Sequence, residues 1–377
     1  MKRKTTFGRG LPFILTAPVL LIALPGLLGL QGCQTAKSAK APSAPAGPIF
    51  FPPPPEVPRV QYLGSISSPQ DLPSQRSKFA DFILGPEPVS NVLVKPNNAL
   101  LVGNLLYVCD TKLNTVMVYD LASGEARPLL GDGAMGKIKE PNNIARDDQG
   151  NFYVADKLRQ AVLVYGPDEQ FLHAWGRPGE TEPVDVAIGR QALYVCNFKL
   201  HRIELWNRQS GALIKAFGER GIAPGQFYMP THVALDADEN IYVTDTGNFR
   251  VQKLSSSGKP LMQFGGNGDT LGKFALPKGL GLDGRGNLFV ADSRFFNVQI
   301  FDPQGHLLLF FGGPGRDAGS LDLPSGVRVQ PWPASVGWLN SRLAPGFEPE
   351  SLVLVVSQEG EGLVNFFAVA RVAPKTP

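Results

Sequence analysis

Residues Asn240 to Gly265 read NIYVTDTGNFRVQKLSSSGKPLMQFG. Ile241 to Thr244 are apolar or β-branched, Asp245-Thr246-Gly247-Asn248 is a turn signal, and Arg250 to Leu254 alternate again. Ser255-Ser256-Ser257-Gly258 breaks that run, and Pro260 to Phe264 form a third short strand before Gly265-Gly266. Three short strands joined by tight turns read as an antiparallel meander. The same pattern recurs from Leu106, Phe152, Leu193 and Leu288. Its aligned aromatics, Tyr107, Tyr153, Tyr194, Tyr242 and Phe289, are spaced 46, 41, 48 and 47 residues apart. A period in the forties with four strands per unit is the signature of propeller blades.

The fourth strand of each unit, the innermost, follows a proline: Pro96, Pro141, Pro183, Pro230 and Pro277. Pro324-Ser-Gly-Val-Arg-Val opens a sixth unit, with later strands at Leu352 to Ser357 and Leu363 to Val369. This last unit lacks an outermost strand. Arg59 to Ile66 resembles the outer strand Leu307 to Gly312 and is expected to supply it, closing the ring and leaving no blade unpaired. The expectation is an all-β, six-bladed propeller over residues 57–371, with 372–377 a disordered tail.

The run from Pro230 to Val251 resembles the NHL repeat, P-x-x-V-A-x-D-x-x-G-N-I-Y-V-x-D-x-x-N-x-R-V, almost throughout. Five copies in register carry the resemblance across roughly residues 57–371. Blade three departs from it with Asn197 at the strand end. Blade six departs with Ser357 there and an insertion at 331–349 containing Trp332 and Trp338, expected to cap one face of the disc or offer a partner surface.

Ahead of the repeats, Lys2, Arg3, Lys4 and Arg9 precede an apolar run from Leu11 to Leu30. Leu30-Gln31-Gly32-Cys33 resembles a bacterial lipobox, so residues 1–32 read as a lipoprotein signal peptide and Cys33 as the lipidated residue. A plain transmembrane anchor is the rival. Gln34 is not the aspartate that resembles an inner-membrane retention signal, which points to an outer-membrane lipoprotein facing the periplasm. Residues 33–56, rich in Ala, Ser, Lys and Pro, read as a flexible tether. A helical turn is expected at Ser77 to Leu84. Cys109 and Cys196 share one strand position two blades apart, too far for a bridge, and are expected to be buried free thiols.

The net charge of +3 over 377 residues does not imply a nucleic-acid binder. An export signal and few stacking aromatics also argue against one. Asp110, Asp156, Asp245 and Asp292, with Asn197 and Ser357, end each second strand. A group repeated in every blade reads as scaffold, bonding nearby amides.

The residues opening each innermost strand, Asn98, Asn143, Asp185, His232, Gly279 and Gly326, are expected at the channel mouth. That ring is too uneven for packing alone. Its four polar members are candidate ligands for a divalent cation or small polar molecule, against a channel that is simply water-filled. Lys278 adds a positive charge there. The peptide-amidating lyase and lactonase-type propellers resemble this architecture. The first uses several histidines on zinc, whereas only His232 of His173, His201, His232 and His306 falls in the row. The second uses a glutamate with an asparagine and an aspartate on calcium, and no glutamate falls there.

The turns after the second strands carry Lys112, Lys157, Arg159, Lys199, Arg202, Arg250 and Arg294. They read either as solvation of the turns or as a basic face for an envelope protein or an anionic glycan. NHL propellers use that face for proteins or single-stranded RNA. The leading expectation is a monomeric, lipid-anchored binding scaffold without a cofactor. The alternative is a metal-assisted lyase or lactonase at the channel mouth.

Overall fold

A computed structural model describes residues 47–73 and 90–371. The leader, Cys33, the segment at 77–84 and the tail at 372–377 lie outside the described residues. Five four-stranded antiparallel sheets and one five-stranded sheet make six blades around a central channel. The innermost strands are Pro96–Val102, Pro141–Arg146, Pro183–Ile188, Pro230–Leu235, Pro277–Leu282 and Pro324–Pro331. Each has a register irregularity between its first and third or fourth residue. The second strands of blades two, four and five, such as Phe152–Asp156, are buried along their whole length. Blade packs against blade on both faces, so these strands read as continuous apolar runs rather than alternating ones. The outermost strands, Phe171–Trp175 and Leu213–Phe217 among them, are largely exposed.

The ring closes as the missing strand required. Val60–Ile66 pairs antiparallel with Val364–Val369, setting Val60 opposite Val369 and Ile66 opposite Val364. The tether expectation needs correction at its end, because Ile49–Phe51 adds a fifth strand beside Val60–Ile66. Phe51 lies 6.2 Å from Phe311 and 6.3 Å from Phe367, ring to ring, and Phe50 lies 5.8 Å from Phe347. The prolines around them suit an outer edge, where no further ladder is needed.

The insertion packs over the seam between blades six and one. Its short helix, Gly337–Asn340, buries Trp338 and Leu339 in the core shared by those blades. Trp338 meets Phe366 edge-on at 4.9 Å. Gln61 of the closing strand donates to the Arg342 carbonyl at 2.8 Å and accepts from the Ala344 amide at 3.0 Å. Cys109 and Cys196 are free and fully buried.

The strand-end carboxylates staple each blade to the connection before it. Asp110 accepts backbone N–H bonds from Val94, Lys95, Lys112 and Leu113 at 2.7–3.0 Å. Asp292 does the same for Ala275, Leu276, Arg294 and Phe295. In blade three Asn197 holds weaker bonds of 3.3 Å to the Glu182 and Leu200 amides. The carboxylate there is Glu204, fully buried beside Asn197 and met by Arg177, Arg202 and the Trp206 indole.

Candidate functional site: the central channel and the basic rim

In blades two and three the third residue of the innermost strand bonds into the following blade. Asn143 donates to Asp185, and Asp185 accepts the Val233 amide of blade four at 2.7 Å and its neighbour Val186 at 2.7 Å. The two glycines show the same direction by what they leave out. A Cβ on Gly279 would sit 2.7 Å from the Val327 nitrogen of blade six. One on Gly326 would sit 2.4 Å from the Asn97 carbonyl of blade one. The uneven ring is therefore a packing feature, contrary to the sequence expectation. Inner strands five, six and one touch backbone to backbone, and the other gaps are filled by side chains.

Asn98, Asn143, Asp185 and His232 are all buried, at most 4% exposed. Arg328 joins them unannounced. It extends from blade six across blade one, donating to Asn143 Oδ1 at 3.1 Å and the Ile144 carbonyl at 2.7 Å. Burial lowers its affinity for its proton, and the Asp185 charge works the other way. Burial pushes the Asp185 carboxyl up to about 6, opposed by the Val233 amide and Arg328. Two positions before Arg328's column, the row was visible in the sequence. The column itself reads Leu100, Ala145, Ala187, Ala234 and Gly281 in the other blades. A lone arginine among small residues was the signal available.

His232 ends the relay. Both ring nitrogens are buried and neither makes a hydrogen bond of normal geometry; the Lys278 backbone N–H comes nearest. Burial, with Lys278 and Arg328 nearby, draws its proton affinity down to about 3, so the ring is neutral. Lys278 reaches the Gln358 amide at 3.4 Å, and Gln358 bonds Asn97 at 2.9 Å. This donor set does not suit a divalent cation. Asp185 is the row's one carboxylate, its oxygens already take three N–H donors, and the Arg328 charge stands near it. Among the described residues no three His, Cys, Asp or Glu side chains gather closely enough to hold a metal. The other histidines lie apart. His173 stacks on Trp175, His201 accepts the Met229 amide, and His306 pairs with Asp302.

The structure breaks up the basic rim. Arg250, 9% exposed, is bonded to Asp245, Gln263 and the carbonyls of Ala223 and Gln226, so it is no partner-binding residue. Arg202 is turned onto Glu204 at 2.5 Å. Lys157 pairs with Glu182 at 3.3 Å and lies over Phe198, and Lys199 donates to the Gly179 carbonyl. Arg159 reaches the carbonyls of Lys137 and Met135. Lys112, Lys199 and Arg294 stay exposed. The same face carries apolar side chains that the sequence reading did not weigh. Met135 is 76% exposed, Leu158 61% and Ile222 81%.

The NHL repeat family model matches residues 227–254. No curated protein matches the chain. Among solved structures, the chain is similar to virginiamycin B lyase from Staphylococcus aureus, at 11% identity and TM-score 0.50, covering 74% of this chain and 86% of that one. A protein of unknown function from Bacteroides thetaiotaomicron aligns at 13% identity and TM-score 0.55, over 82% and 76% of the two chains. A gluconolactonase from Xanthomonas campestris aligns at 16% and 0.53, over 81% and 97%. These likenesses are to the fold. The chain carries an NHL-repeat match within blade four and folds as a six-bladed β-propeller.

Proposed function

We propose that this propeller is a protein-binding scaffold, held at the bacterial envelope by lipid on Cys33. Its binding face is the one formed by the blade-to-blade connections and the turns after the second strands. The observation that carries this reading is the exposure of Met135, Leu158 and Ile222 on that face. The Arg159 guanidinium bonds the Met135 carbonyl at 3.1 Å, so charge and apolar surface adjoin. Large exposed apolar side chains beside cations suit a protein with an acidic rim better than a glycan. Lys112, Arg159, Lys199 and Arg294 supply the charge. In the channel, Asn143 donates to Asp185 and accepts from Arg328, which ties the row's carboxylate and its arginine into the scaffold.

The test is site-specific photo-crosslinking in envelope fractions. A probe at Leu158 gives one discrete adduct, weakened by Lys112→Glu with Arg294→Glu and by rising salt. A probe at Leu213, on an outer strand, gives none. Adducts of equal strength at both sites would sink the scaffold reading. So would turnover of a lactone that depends on added metal and is lost in Asp185→Asn, which is the enzyme alternative. Metabolic labelling with palmitate, lost in Cys33→Ser, tests the anchor separately.

A further inference from the structure

A second site stands on the opposite face, independent of the scaffold reading. Between blades two and three lies a cavity of about 630 Å³, within the range of small-ligand sites. Its apolar side is a flat shelf. His173 and Trp175, two apart on an outer strand, stack with ring centroids 5.7 Å apart and planes 12° apart. Tyr153 backs the tryptophan at 6.1 Å. Gly211 of the neighbouring blade fixes the shelf, since a Cβ there would lie 2.2 Å from the Trp175 ring. His173 is exposed, so the shelf faces solvent rather than core.

The opposing wall is polar and rigid at its centre. Arg208 bonds four acceptors, Asp147, Asp148 and the carbonyls of Gly189 and Arg190, at 2.7–3.2 Å. Asp147 is further held by Asn151 and the Tyr153 hydroxyl. Around this core stand Gln149, Gln191 and Gln209, one from each of three turns. None of their amide side chains bonds within the described residues. Each offers a donor and an acceptor to a ligand. The charges lining the cavity cancel, Asp147 and Asp148 against Arg190 and Arg208.

A flat apolar platform facing a ring of mixed donors and acceptors, with no net charge, is complementary to one ligand class. We propose that the cleft binds an uncharged pyranose saccharide. The C–H face of one sugar ring lies on the His173–Trp175 shelf, and its hydroxyls meet the glutamine amides and the outer edge of the Asp148–Arg208 pair. An anionic sugar would face Asp147 and Asp148, with Arg208 already paired to both and the Arg190 guanidinium turned onto the Ala237 carbonyl, and an aliphatic ligand would strand the amides.

The probes are cellobiose, maltose and N,N′-diacetylchitobiose, titrated into the full-length protein in detergent and followed by tryptophan fluorescence and calorimetry. At least one binds saturably. His173→Ala and Trp175→Phe each weaken it about tenfold, which is about 1.4 kcal/mol. The second variant preserves the fold, because Phe217, Phe264 and Phe311 stand at the same place in blades three to five. Lys112→Glu on the far face leaves saccharide affinity unchanged, which separates this site from the scaffold face. Absence of saturable binding by all three sugars overturns the proposal. Binding undiminished in both shelf variants, or preference for glucuronate over glucose, overturns it equally.

Discussion

Replacing His232 by leucine removes the one imidazole in the channel row and exposes a hidden pH balance. In the folded protein the ring gives up its proton at about 3, against an ordinary value of 6.5. Its contribution to stability is present above pH 6.5 and is lost as pH falls toward 3, because only the unfolded chain takes up the proton. One proton amounts to about 1.4 kcal/mol per pH unit, so the loss from pH 6 to pH 4 is about 3 kcal/mol. Asp185 runs the other way. Its folded value of about 6 lies above the ordinary 3.8, so its contribution is full at low pH and lost as pH rises through 6. Between pH 4 and pH 6 each state of the protein therefore holds one proton on this pair, and the two slopes cancel. The assay is urea denaturation by tryptophan fluorescence at half-unit steps from pH 4 to pH 7. Taking the difference between variant and wild type removes the background of the other carboxylates. His232→Leu should gain about 3 kcal/mol on wild type between pH 6 and pH 4. Near neutrality it should be no less stable, since it also removes two buried nitrogens that lack a hydrogen bond of normal geometry. Asp185→Asn should show the opposite tilt. A His232→Leu difference constant to about 0.5 kcal/mol across that range would refute a buried, neutral histidine.

Two further outcomes test the packing. Gly326→Ala should cost about 3 kcal/mol, because its Cβ would meet the Asn97 carbonyl at 2.4 Å, whereas Gly284→Ala, with open space around it, should change denaturation midpoints little. A chain beginning at Val57 should be less stable by about 2 kcal/mol than one beginning at Gly47, through loss of Phe51 from the seam with Phe311 and Phe367; equal urea midpoints would show that strand Ile49–Phe51 adds nothing.

The blade pattern was legible because each repeat writes its own strands and turns, and four of the six write a strand-end carboxylate. The closing strand was legible because blade six stops one strand short. Ile49–Phe51 was not, since three apolar residues among prolines have no period, and their partners Phe311, Phe347 and Phe367 lie far along the chain. The channel row was found, but its meaning was misjudged. Only coordinates show that Gly279 and Gly326 mark backbone contact rather than empty space. Arg250 illustrates the limit for surface residues. Its place in a turn suggested a solvent-facing cation, yet Asp245, five residues earlier, folds it back inside. The cleft at His173 and Trp175 joins turns from two repeats, and no single repeat spells it.

The pairing of Val60 with Val369 has a consequence for biogenesis. A strand made early waits for one made late, so the wheel cannot lock until Val364–Val369 has been delivered to the same compartment. Until then blade six lacks its outer strands, leaving the Val364–Val369 edge bare and open to intruding strands of other chains. A product cut short before Val364 would be left unlatched, and a protease acting on open chains would find it first.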